Sequence, residues 1–103
     1  MYKDKNEIVS RRSRTYIATP PGATIKEQLD DRGMSQKELA ACMAVSDEYV
    51  NHLINGEVQL TPDVANRLEI VLGIPASFWN NLEAIYREKL IKIAAENAIV
   101  SDA

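Results

Sequence analysis

The chain has 103 residues, 46% of them hydrophobic and 26% charged, with a formal net charge of −3. A domain of this length buries about 60–65% of the surface its unfolded chain exposes, which allows one modest core. The single cysteine, Cys42, excludes an intramolecular disulfide framework, no run of about 18 apolar residues marks a membrane span, and an acidic balance is the reverse of what a generic polyanion binder carries.

Residues 1 to 19 show no sustained hydrophobic period and hold Lys3, Lys5, Arg11, Arg12 and Arg14 against Asp4 and Glu7, a net +3 that leaves −6 for the rest. The segment reads as a basic arm, with Tyr16-Ile17-Ala18 as a short extended piece before the Pro/Gly break Thr19-Pro20-Pro21-Gly22. Its start, MYKDKNEIVSRRSR, lacks the apolar stretch of a secretory signal, so the expected location is the cytoplasm. A first helix is predicted from Thr24 to Arg32, with Ile25 and Leu29 on one face and Gly33 as its stop. The second runs from Gln36 to Met43. Ser35 is its N-cap, Glu38 completes a capping box, and Met34 with Leu39 forms a hydrophobic staple. Ser46 repeats that logic for a third helix from Asp47 to Asn55, with Val45 and Val50 as the staple and Asn55-Gly56 as positive-φ residues at its end. Thr61-Pro62-Asp63 opens a fourth, with Val64, Leu68, Val71 and Leu72 in one stripe ended by Gly73. Pro75 opens a fifth over Ala76 to Ala98, where Phe78, Trp79, Leu82, Ile85, Tyr86, Leu90 and Ile93 recur at three- and four-residue steps. With no internal repeat and no strict period-two alternation, the expectation is an all-α fold of five helices, divided into an arm (1–19), a helix-turn-helix domain (20–74) and a C-terminal helix with tail (75–103).

The second and third helices are joined by a turn too tight for independent helices, the spacing of the helix-turn-helix motif. The positions that must bury, Leu39, Met43, Val45, Val50 and Leu53, are all apolar, and Ala40 is small enough for close helix contact. The same pattern also builds an αα-hairpin with no ligand. Read as a nucleic-acid motif, it gives Gln36 and Lys37 at the start of the second helix to a phosphate or base, and turns Asp47, Glu48, Asn51, His52 and Asn55 of the third outward toward the major groove. Asn51 can pair bidentately with adenine and His52 can donate to guanine N7 or O6. Asp47 and Glu48 oppose a polyanion unless they accept from cytosine N4, and they also serve as dipole ligands worth about 0.3–1 kcal/mol each. From Gln36 to Glu57 one lysine faces four acids, a net −3.

His52 is the only histidine and Cys42, read as a small buried thiol, the only cysteine, so one chain offers no metal-ligand cluster and no cofactor is expected. Ser46, Asp47 and His52 fall together on one short helix without an oxyanion-hole loop, and the glycines at 22, 33, 56 and 73 punctuate helices, so no enzyme is expected. Phe78, Trp79, Leu82, Ile85 and Tyr86 form a stripe longer than one small core needs. Aromatic residues at this spacing point to core or dimer packing rather than to a nucleobase-stacking platform, and the surplus apolar surface points to a partner chain, most simply a second copy in a homodimer through the fifth helix. Such a dimer sets two recognition helices about 34 Å apart.

PPGATIKEQLDDRGMSQKELA and VSDEYVNHLINGEVQLTPDVANRLEIVLGIPASFWNNLEAIY resemble the HigA family of antitoxins, within the XRE or lambdoid-repressor-like group. The likeness covers about Pro20 to Tyr86, and its most specific part is the Thr-Pro opening followed by RLE, LGIP and SFWxNLxxxY. The resemblance implies a lambda-repressor-like fold and a type II antitoxin that binds and inhibits a small RNA-cleaving toxin of HigB type and represses the operon encoding both by binding double-stranded operator DNA. Two residues depart from the family pattern. Ala44 stands where the turn usually has glycine, in a left-handed region that costs other residues about 1–2 kcal/mol, so a reshaped turn is expected. Glu57 stands where a base usually follows Asn-Gly. Dimerisation plus an arm carrying Arg11, Arg12 and Arg14 would compensate; otherwise operator binding has weakened while toxin binding remains, or the chain is a free-standing XRE regulator. The arm itself has three readings: a DNA contact, a toxin contact or a solvated tail.

Overall fold

The computed structural model describes residues 18–102, with side chains as far as Asn97. Arg11, Arg12, Arg14 and the Tyr16-Ile17 pair lie outside the described residues. Within them the chain forms five helices and no strand: α1 (Pro21–Arg32), α2 (Gln36–Met43), α3 (Asp47–Ile54), α4 (Pro62–Leu72) and α5 (Ala76–Asp102).

The first helix begins three residues before its predicted start. Pro20 is extended at the N-cap (φ −68°, ψ 153°) and Pro21 occupies the first turn, where its fixed φ is already helical and its missing N–H is not needed. Gly22 is therefore no break. It is buried in that first turn because α1 crosses the end of α3 so closely that a Cβ here would overlap the carbonyl oxygens of Leu53 and Ile54.

The caps hold as the side chains demand. Ser35 Oγ accepts from Glu38 N–H at 3.0 Å while Glu38 Oε1 accepts from Ser35 N–H at 2.8 Å. Ser46 Oγ accepts from Tyr49 N–H at 3.0 Å and Thr61 Oγ1 from Val64 N–H at 3.2 Å. The turn between α2 and α3 is not reshaped. Ala44 itself takes the left-handed conformation (φ 60°, ψ 44°), with Ala44 N–H donating to Ala41 O and Val45 N–H to Ala40 O at 3.0 Å. Asn55, expected at positive φ, is right-handed at −83°, so Gly56 alone (φ 77°) turns the chain out of α3.

Two arginines close helix ends from a distance. Arg67 on α4 donates to the Met43 carbonyl at 2.6 Å and to Asp63 Oδ2 at 3.0 Å, and Arg32 on α1 donates to the Leu72 carbonyl at 2.8 Å. Each satisfies a terminal carbonyl that the helix leaves unpaired.

Pro20–Ala84 is one compact unit, and Ile85 onward falls in a second. The core of the first contains Ile25, Leu29, Leu39, Met43, Val50, Leu53, Leu68 and Trp79, with Val45 and Leu82 partly buried against it. Trp79, grouped in sequence with the dimerisation stripe, is 0% exposed. Its indole fills the chain's own core, so it offers nothing to a partner chain. Cys42 is likewise corrected: it is exposed, because Leu39, Ala40 and Met43 take the whole inward width of α2. In the second unit, Arg87 stacks over the Tyr86 ring at 5.0 Å, Lys92 pairs with Glu88 at 3.3 Å, and Ile91 is exposed.

Candidate nucleic-acid interface

The inward residues of α3 are Val50, Leu53 and Ile54, all buried, and the helical period then sends Asp47, Glu48, Asn51 and His52 outward, all exposed, with Asn55 following at the C-cap. Tyr49, half-buried at the edge, has its hydroxyl pKa raised by burial and then by the charge of Asp63, so it remains a protonated donor. At the start of α2, Gln36 is half-buried and Lys37 exposed. Lys37 Nζ approaches Asp47 Oδ2 at 4.0 Å, tying the first turns of α2 and α3 into one polar surface. The geometry thus assembles Gln36, Lys37, Asp47, Glu48, Asn51, His52 and Asn55 on or beside the two helices that a groove-binding motif uses.

One contact changes the chemistry expected of His52. Its Nδ1 lies 2.5 Å from Glu57 Oε1, so half of the ring's hydrogen-bonding capacity is already taken within the chain. Glu57 is legible in sequence only as a missing base; its partnership depends on the turn at Gly56, which no helical period encodes. Arg67 carries no sequence signal either, since its target is a backbone carbonyl 24 residues away.

The residues assigned to dimerisation divide. Phe78 and Ile85 are 42% and 43% exposed, Tyr86 is half-buried, and Leu82 leans on the core. Phe78 and Trp79 meet in a T-shaped contact (5.2 Å, 81°), and Phe78 borders a shallow open depression with Ser77, Asn80, Asn81 and Ala84. Ile70 on α4 is 83% exposed, an apolar side chain that the α4 stripe of the sequence does not include. Among the described residues no group of three or more His, Cys, Asp or Glu is placed to hold a metal ion, and no helix is long and apolar enough to cross a membrane.

Residues 25–79 match the helix-turn-helix family. The uncharacterized HTH-type transcriptional regulator YddM of Escherichia coli K12 is 35% identical over 63 residues, which cover 61% of this chain and 67% of that protein. Antitoxin HigA-1 of Vibrio cholerae is 42% identical over 57 residues, 55% of this chain and 53% of that one, so the match spans about half of its length. Among solved structures, the Pseudomonas aeruginosa antitoxin HigA with the higBA promoter superposes with a TM-score of 0.74 at 26% identity, covering 84% of this chain and 96% of that chain.

Proposed function

This chain belongs to the helix-turn-helix family, and from that membership we propose that it is an antitoxin of HigA type that binds operator DNA through α2 and α3, represses the operon encoding it and neutralises a HigB-like ribonuclease toxin. The observation that carries the reading is the α2–α3 pair itself: two capped helices held on a left-handed turn, with Asn51 and His52 exposed on the second, in a fold similar to that of an antitoxin solved with its promoter. In this reading the α2 N-terminus and Gln36 hold a phosphate, Lys37 adds charge, and Asn51, His52 and Asn55 meet base edges. Asp47 and Glu48 accept from cytosine N4 or act on the α3 dipole alone. Two copies, joined through Phe78, Ile85 and Tyr86 with Leu82 behind them, set two recognition helices on successive major grooves. The arm with Arg11, Arg12 and Arg14 supplies positive charge along the duplex.

The acidic surface of Asp47, Glu48 and Glu57 favours a second reading, a toxin-binding module that no longer binds an operator. Footprinting on the native promoter separates them, together with copurification of the neighbouring gene product. The antitoxin-repressor reading expects a protected two-fold site and a bound basic ribonuclease. Toxin bound without a protected site leaves the interaction module, and a protected site without a toxin leaves a free-standing regulator.

A further inference from the structure

Gly56 ends α3 in the left-handed conformation and folds the following residue back over the last turn, so that Glu57 N–H donates to the His52 carbonyl at 2.8 Å. The same fold-back carries the Glu57 carboxylate to His52 Nδ1, with Oε1 2.5 Å away. Backbone and side chain of one residue thus grip backbone and side chain of another. Both side chains remain accessible, 49% exposed for His52 and 57% for Glu57, so the pair lies where a duplex bound to α3 would meet it.

We propose that Glu57 is a specificity-determining positioning residue that fixes which ring nitrogen of His52 meets the operator, an inference that rests on the DNA-reading role of α3. A carboxylate only accepts, so the hydrogen between the two groups belongs to Nδ1, and Nε2 is the one ring atom left for a base edge. Without Glu57 the imidazole has two tautomers and two ring orientations open to it. It then presents a donor or an acceptor from either nitrogen, and discriminates poorly between the amino groups of adenine or cytosine and the N7 and O6 of guanine. Glu57 also repels phosphate, so it weakens duplex binding in general while sharpening it at one base pair. These opposite signs separate orientation of His52 from a charge effect.

The test is selection from a randomised duplex pool with the full chain, comparing wild type, Glu57→Ala, Glu57→Gln and His52→Ala. His52→Ala is expected to erase preference at one base pair, by roughly 5- to 150-fold, the discrimination a base-edge hydrogen bond supplies. Glu57→Ala should lose at least about five-fold at that same pair while binding random duplex as well or better. Glu57→Gln should lose part of the preference, because its amide can accept from Nδ1 through its oxygen or donate to Nδ1 through its NH2 and so no longer imposes one tautomer. Ring nitrogen chemical shifts should report a protonated Nδ1 in wild type and a tautomer mixture in Glu57→Ala. Unchanged preference or unchanged ring shifts in Glu57→Ala overturn the assignment. A wild-type protein that selects no sequence overturns the operator reading and this inference together, whereas one that selects an operator indifferent to Glu57→Ala overturns only the inference.

Discussion

At the scale of single residues, two small residues answer opposite constraints. Ala44 holds a left-handed conformation that costs an L residue about 1–2 kcal/mol, partly recovered from a glycine's greater unfolded-state entropy. Ala44→Gly should therefore raise stability by about 0.5–1 kcal/mol in urea melts with no change in m, and a loss of stability would refute strain at this turn. Gly22→Ala should do the reverse, costing about 2 kcal/mol or more, since the added Cβ meets backbone that cannot move aside. Gly33 and Gly56 are readable as helix stops because the helical pattern ends at them. Gly22 reads in sequence as a break because its reason lies in α3, some thirty positions away, and only the crossing of the two helices reveals it. Tyr49 adds a pH signature. Its raised pKa means the folded state keeps a proton that the unfolded state releases above pH 10.0, so stability falls as pH rises past that value, and Tyr49→Phe should remove that component of the alkaline decline.

At the scale of elements, α2, α3 and α4 are legible in sequence almost to the residue, because Ser35, Ser46 and Thr61 cap locally and the apolar steps follow within one turn. The fifth helix is legible in place but not in partners. A stripe at helical spacing states that residues are covered, never by what, and the structure divides this one between the chain's own core at Trp79 and open surface at Phe78 and Ile85. The assembly experiment follows from that division. Phe78→Asp with Ile85→Asp should abolish the dimer in sedimentation while leaving the Pro20–Ala84 unit folded, whereas Leu82→Asp should unfold it by burying a charge against the core. A wild-type chain that sediments as a monomer at micromolar concentration rules out the dimer. Arg67, which donates to α2 from α4, should cost about 1.5–3 kcal/mol when replaced by Ala, since removing the charged donor leaves a carbonyl unpaired.

At the scale of the whole chain, positive charge is concentrated in residues 1 to 19 and the motif is acidic, so the two ends of the proposed interface contribute with opposite sign. Deleting residues 1 to 14 should weaken operator binding and make log K against log salt shallower by about 0.9 for each phosphate the arm no longer neutralises. Asp47→Asn with Glu48→Gln should raise affinity for random duplex while giving up some helix stability at the α3 N-terminus. A truncated chain with the same salt slope but no toxin binding assigns the arm to the toxin. Net charge, the coarsest property of the sequence, argues against DNA, and the distribution of that charge makes the objection local.

The buried indole also has an optical consequence. Trp79 is the chain's only tryptophan, sealed in the core with the Phe78 ring set nearly perpendicular to it, and carried on a helix other than the two that would face DNA. Its emission is a built-in gauge of folding, blue-shifted while the Pro20–Ala84 unit is intact and red-shifted once water reaches the ring. Every variant of Gln36, Asn51, His52 or Glu57 can be certified as native from its own fluorescence, in the cuvette in which duplex is then titrated, so that a failure to bind and a failure to fold are never confused.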